Sequence, residues 1–156
     1  MPPDSTELSG CRMPFAGVSP DWIHELSEIA AMTLADFRRH VGDQAFAMLA
    51  VDCRPADGFI SLSMLLSAES AIDPSLADPA RTSAWKHEGL ERKTGMWRLA
   101  AGVERVMQET YHCAEEADRP AIAEAFVGAC LKAIHTERVA AEVECFLLAE
   151  SFRITS

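Results

Sequence analysis

The stretch "ETYHCAEE" sets Glu109, His112 and Glu116 three and four residues apart, the spacing at which side chains share one face of a helix. An imidazole between two carboxylates is a set of metal ligands, and one E-x-x-H is half of a carboxylate-bridged di-metal site. The other half, a second E-x-x-H with two further glutamates on facing helices, does not occur in the chain. Asp21, His24 and Glu28 form a weaker second cluster. Were the two faces to meet, they would supply a mononuclear site of histidines and carboxylates. The competing reading is a solvated charged face, because both clusters fall mainly off the apolar stripes of their helices.

Nucleophilic chemistry has less to work with. The five cysteines, Cys11, Cys53, Cys113, Cys130 and Cys145, are odd in number and contain no C-x-x-C pair, which suits reduced thiols packed as small hydrophobes better than a disulfide framework or a zinc knuckle. Cys130 falls on an apolar helix face, and Cys53 and Cys145 fall at strand positions, where a raised thiol pKa and inertness are expected. Cys113 and His112 are sequence neighbours, which point apart on a helix and make no nucleophile–base pair. His40 and His135 lie near helix ends, where a cation suits the negative end of the dipole. No G-x-S-x-G, H-E-x-x-H, phosphate-cradling glycine loop or dinucleotide fingerprint is present. The common hydrolase, zinc-protease and nucleotide-binding architectures are therefore disfavoured.

The third cluster is "TSAWKHEGLERKTGMW", Thr82 to Trp97. Trp85, Arg92, Trp97 and Arg98 are of the residue types that dominate protein interfaces, and they lie close together in an otherwise acidic chain. The stretch also reads as a connector whose Trp85 folds back to seal a core edge while its N–H finds a partner. On that reading Arg92 and Lys93 are merely solvated.

The elements that must position these residues follow from period and punctuation. Residues 1–18 carry prolines and glycines without a sustained period and read as a loose arm, partly docked through Met13 and Phe15. Residues 19–156 read as one domain. Ser19 suits a helix cap, Pro20 the first helical position and Gly42 the stop, with Ile23, Leu26, Ala30, Leu34, Phe37 and Val41 on one face. "QAFAMLAVDC" reads as a strand covered on both sides, and "RPADG" as a turn. "FISLSMLL" is then a second strand, with Ile60, Leu62, Met64 and Leu66 opposite Ser61 and Ser63. Two Asp-Pro steps mark the next segment as a surface excursion with room for one short helical turn. From Thr94, Met96, Leu99, Val103, Val106, Met107 and Tyr111 predict a second long helix. Arg119 and Pro120 open a third, with Ile122, Phe126, Ala129, Cys130 and Ala133 on one face. "VAAEVECFLLAESF" fits helix or strand, and is assigned as a strand because a lone hairpin is marginal and a third strand completes a sheet. The expected fold is α+β: a small antiparallel sheet of about three strands against three main helices.

This order of elements, with "AFAMLAVDC", "ISLSMLLSAES", Trp85 and a final "CFLLAES", resembles an uncharacterised bacterial family, the domain of unknown function 4303, over Ser19 to about Ser151. The second aromatic expected beside Trp85 is missing. The resemblance implies a small α+β domain without an assigned reaction, loosely associated with bacterial toxin and immunity systems.

A chain of 156 residues buries enough surface to fold without a disulfide or metal staple, and no apolar run approaches the ~18 residues that would span a bilayer. The opening "MPPDSTELSG" lacks the basic start and apolar run of a secretory signal, so the expected address is the cytoplasm. A net charge of -10 repels phosphate backbones and attracts basic surfaces. The expectation is a non-enzymatic protein-recognition domain needing no cofactor, with an immunity-type partner as one form. A small enzyme using the Glu109, His112 and Glu116 face is the alternative.

Overall fold

The computed structural model describes residues 14–156. The expectations for residues 1–13, among them Cys11 and docking through Met13, and for the Met96 side chain lie outside the described residues.

Helix α1, Pro20–Val41, begins where the Ser19 hydroxyl accepts the Trp22 N–H at 3.2 Å and stops at Gly42. Its apolar face carries Leu26, Ala30, Leu34 and Phe37 into the core, joined by Trp22 and Ile29. Strands β1, Ala45–Arg54, and β2, Phe59–Leu66, pair antiparallel, with Leu49 opposite Met64 and Cys53 opposite Ile60. Between them Pro55–Asp57 makes a single 3₁₀ turn, closed by the Gly58 N–H on the Pro55 carbonyl at 3.2 Å. Gly58 has φ +60°, and a Cβ there would lie 2.9 Å from the Gln108 side chain. Only glycine meets both demands without strain.

Strand β1 is apolar on both sides because both sides are covered. Phe46, Leu49 and Val51 face the helices, while Met48 and Ala50 face a smaller cluster with Leu65 and Trp85. Phe46 and Leu49 share a side despite their odd spacing because the register shifts between Phe46 and Met48, an irregularity that flips the alternation once. On β2, Ile60, Leu62, Met64 and Leu66 point to the helices, and Ser61 and Ser63 to the other face, where both are nevertheless buried.

After β2 come the short helix α2, Ser67–Ile72, and 3₁₀ turns at Pro74–Leu76 and Pro79–Ala84. The excursion thus holds three short helical pieces rather than one. The short helix α3, Leu90–Thr94, and a 3₁₀ turn at Met96–Ala100 lead into α4, Ala101–Cys113. Leu99 and Val106, expected in the core stripe, are about half exposed, at 48% and 47%. The reason is that residues 96–100 wind as 3₁₀ helix, so a single 3.6-residue period does not run through to α4. Helix α5, Arg119–Ile134, buries Ile122, Phe126, Ala129, Cys130 and Ala133 as its pattern predicts.

The tail divides in two. Glu137–Val143 is helix α6, capped by the Thr136 hydroxyl on the Val139 N–H at 3.4 Å, with Val139 and Val143 buried. Leu147–Thr155 is strand β3. Both periods in the tail were real, and they belong to successive segments. Strand β3 pairs with β1 parallel, in the order β2-β1-β3, so the sheet is mixed and not wholly antiparallel. The hairpin occupies one side of β1, and a chain returning through several helices reaches the other side in the same direction as β1. Cys145 lies in the turn before β3 and is exposed, its thiol on the Ala141 carbonyl, contrary to the buried strand position expected for it.

Candidate functional site

Helix α4 ends at Cys113, where Ala114 turns extended with ψ 153°, and Glu116 opens a separate 3₁₀ turn, Glu116–Asp118. The shared helix face that would have joined Glu116 to His112 is therefore not formed. Glu109 is exposed 4.0 Å from Arg105, and the His112 Nε2–H donates to the Ala56 carbonyl at 2.8 Å. Glu28 of the second cluster pairs with Arg138 at 3.4 Å. Among the described residues no group of three or more histidine, cysteine, aspartate or glutamate side chains is arranged to hold a metal ion.

The connector is pulled apart in a different way. Trp85 is buried against Met48, Ala50 and Leu65 on the side of the sheet away from the helices, and its indole N–H donates to the Leu76 carbonyl at 2.8 Å. Trp97 is buried in the main core on the opposite side. Arg92 and Arg98 are exposed, Arg92 bonded to Glu88 at 2.8 Å. These four residues do not form one surface patch.

From α2 to α4 the chain runs along the outer edge of β2 and satisfies every second N–H on it. Ile60 donates to the Glu104 carboxylate at 3.0 Å, Leu62 to Glu91 at 3.2 Å, Met64 to the His87 carbonyl at 3.0 Å and Leu66 to Glu69 at 3.0 Å. Glu91 also accepts the Ser61 hydroxyl, and the Gly89 N–H donates to Ser63 Oγ at 3.1 Å. An open strand edge is a template for pairing with another chain, and this one is closed by three carboxylates and the His87 carbonyl. Burial raises the Glu104 carboxyl above its ordinary range, opposed by the Ile60 N–H. The Trp97 indole N–H lies near that carboxylate without meeting hydrogen-bond geometry. His87 is packed against Phe37 and Phe46 at ring separations of 5.1 and 5.9 Å. Burial, then Lys93 and Lys86, hold its pKa below the usual imidazole value. The Lys93 ammonium has only protons to offer Nδ1, so the ring proton sits on Nε2 and is donated to Gln44 Oε1 at 3.2 Å.

A separate concavity lies elsewhere. Residues 14–19, the start of α1, the outer face of α4 and the start of α5 enclose a groove of about 950 Å³. Its apolar lining includes Phe15, Val18, Trp22, Val106, Ile122 and Phe126, and Glu109, Glu115 and Asp118 also line it. Phe15 docks with its ring 6.2 Å from Phe126, and Trp22 meets Phe126 edge-on at 5.2 Å. The Trp22 indole N–H is spent on the Val103 carbonyl at 2.9 Å, which fixes α1 to α4 beneath the groove.

No family model, curated protein or solved structure matches the chain. Function must therefore be argued from geometry. Of the metal and interface candidates read from the sequence only Glu109 lines the groove, beside Cys113 from among the candidate nucleophiles. Val106 carried a signal, being an apolar residue on α4 that the core leaves half exposed, but sequence period alone placed it with the core. No helix of the described residues is long and apolar enough to cross a membrane.

Proposed function

We propose that this chain is a protein-recognition domain whose groove takes an amphipathic, basic segment of a partner protein. The supporting observation is the groove's composition: an apolar lining that exposes Phe15 and Val106, edged by Glu109, Glu115 and Asp118. An amphipathic helix buries its apolar face in such a groove, and its lysines and arginines meet the carboxylates. The net charge of -10 adds long-range attraction for a basic partner and speeds encounter. An immunity-type domain that neutralises a basic toxin is the biological form this charge suits.

A defined probe tests the idea: a synthetic amphipathic peptide of leucine and lysine, beside a leucine–glutamate counterpart and a lysine peptide without an apolar face. Backbone amide shifts on titration should move at Val106, Glu109, Asp118 and Ile122 for the first peptide alone. Val106→Glu should abolish the effect, and Asp118→Lys should weaken it and flatten its salt dependence. Shifts confined to other surfaces, or equal binding of the acidic counterpart, would remove the groove from consideration.

A further inference from the structure

One wall of the groove is unlike the others. Trp22 belongs to α1, Val106 and Glu109 to α4, and Ile122 and Phe126 to α5. Residues 14–18, by contrast, have no regular structure, and among the described residues no hydrogen bond holds their backbone. Pro14, Phe15, Ala16 and Gly17 are all exposed, and Val18 is the first residue packed against the main core. The contact that ties the segment down is the Phe15 ring, tilted by 36° at 6.2 Å from Phe126 and still 37% exposed. We propose that residues 14–17 are an autoinhibitory strap: Phe15 sits on Phe126 where an apolar side chain of the partner docks, and it swings out about Gly17 when the partner binds. The strap rests on the reading of the groove as the recognition site and adds its regulation.

The hinge is defined by its backbone. Gly17 has φ +99°, and a Cβ placed there would meet no described atom within 4 Å. Glycine is thus required for the bend and not for room, since L side chains rarely adopt that angle. Hinges are a few loop residues that absorb such a change in dihedral angle beside a fixed element, and here the fixed side is Val18 with the Ser19 cap of α1. Opening breaks apolar contacts alone, because a backbone without protein partners is hydrated whether the strap is in or out.

The floor stays when the strap leaves. Trp22 is buried and its indole N–H is bonded to the Val103 carbonyl at 2.9 Å. Its edge-on contact with Phe126 at 5.2 Å joins α1 to α5 without Phe15. Withdrawal of Phe15 therefore bares one side of Phe126 on a rigid base, and an apolar side chain of the partner covers it again. As long as the strap is closed the binding-competent fraction is reduced, and the apparent affinity falls by that fraction.

The test titrates the full-length protein with the leucine–lysine peptide. Phe15→Ala removes the competing ring, and Gly17→Ala strains the closed bend while keeping the ring. Each should tighten binding by about 3- to 10-fold, the scale set by one aromatic pair. Thermal midpoints of both variants, taken without peptide, establish that they fold. In wild type, nuclear Overhauser contacts between the Phe15 and Phe126 rings should be present in the free protein and vanish at saturation. Unchanged or weaker binding by either variant, or ring contacts that persist at saturation, would overturn the strap and leave the groove as the recognition site. Absence of binding by wild type and by both variants would instead overturn the recognition reading, and the strap with it.

Discussion

Trp85 gives the largest effect expected from a single residue of the connector. Its ring is the main body of the small cluster behind the sheet, and its N–H already has a partner. Trp85→Ala should lower stability by about 3–5 kcal/mol in chemical denaturation, while Arg92→Ala, whose side chain is solvated, should stay within about 0.5 kcal/mol. A stable Trp85→Ala protein would mean that the second layer is not closed. The thiols give a separate readout. Cys113 and Cys145 are exposed and Cys130 is buried, so a thiol reagent should label the first two in the native protein and Cys130 only on unfolding. His87 sets a pH dependence. Its folded pKa is depressed, so as pH falls the unfolded chain takes the proton first. Stability is whole above about pH 6.5, the unfolded value, and declines as pH falls towards the lower folded pKa, below which the loss is complete. His87→Gln should flatten that slope in urea midpoints measured across this range. An unchanged slope would assign the acid sensitivity to another group.

Among the elements, β2 carries both a core face and a guarded edge. Leu62 is fully buried, and Leu62→Ala should cost about 2–5 kcal/mol. Glu91 holds the edge from outside by accepting from the Ser61 hydroxyl and the Leu62 N–H. Glu91→Ala leaves two buried donors unpaired, at about 1–3 kcal/mol each. Glu91→Gln keeps one carbonyl acceptor and should recover part of the loss. Denaturation midpoints of the two variants check the order, and equal midpoints would show that the carboxylate is not bonding the edge. With the edge opened, the alanine variant should also show concentration-dependent association in light scattering, whereas wild type should not associate through this edge.

At the scale of the molecule, the sheet is finished by its most distant part. Strand β3 lies against Ala45 and Phe46 through Leu147 and Leu148 and against Leu49 through Ile154. Without it β1 and β2 are a lone hairpin, which is marginal in water. Phe146 immediately before it packs with Phe46 and Phe37 at ring separations of 5.5 and 6.1 Å. Truncation after Phe146 should therefore abolish cooperative thermal unfolding in calorimetry, although α1, α4 and α5 would be intact in sequence. A sharp transition in the truncated chain would show that the helices carry the fold without β3.

Local chemistry was enough for much of this. Ser19, Pro20 and Gly42 mark the ends of α1, and the alternation of Ile60, Leu62, Met64 and Leu66 with Ser61 and Ser63 fixes the faces of β2, because caps and periods act between near neighbours. The double-sided apolar pattern of β1 foretold a cover on both faces, and Trp85 was legible as a seal for an edge of the core. Three things were decided only by tertiary structure. The direction of β3 depends on which side of β1 remains free after the hairpin forms, and no residue in β3 encodes that choice. The division of Glu109, His112 and Glu116 follows from the end of α4 at Cys113, whereas their spacing assumed one continuous helix. The groove joins Phe15 to Phe126, and the core joins Cys53 to Met107, pairs far apart in sequence whose meeting is set by helix packing against the sheet and leaves no periodic trace in either segment.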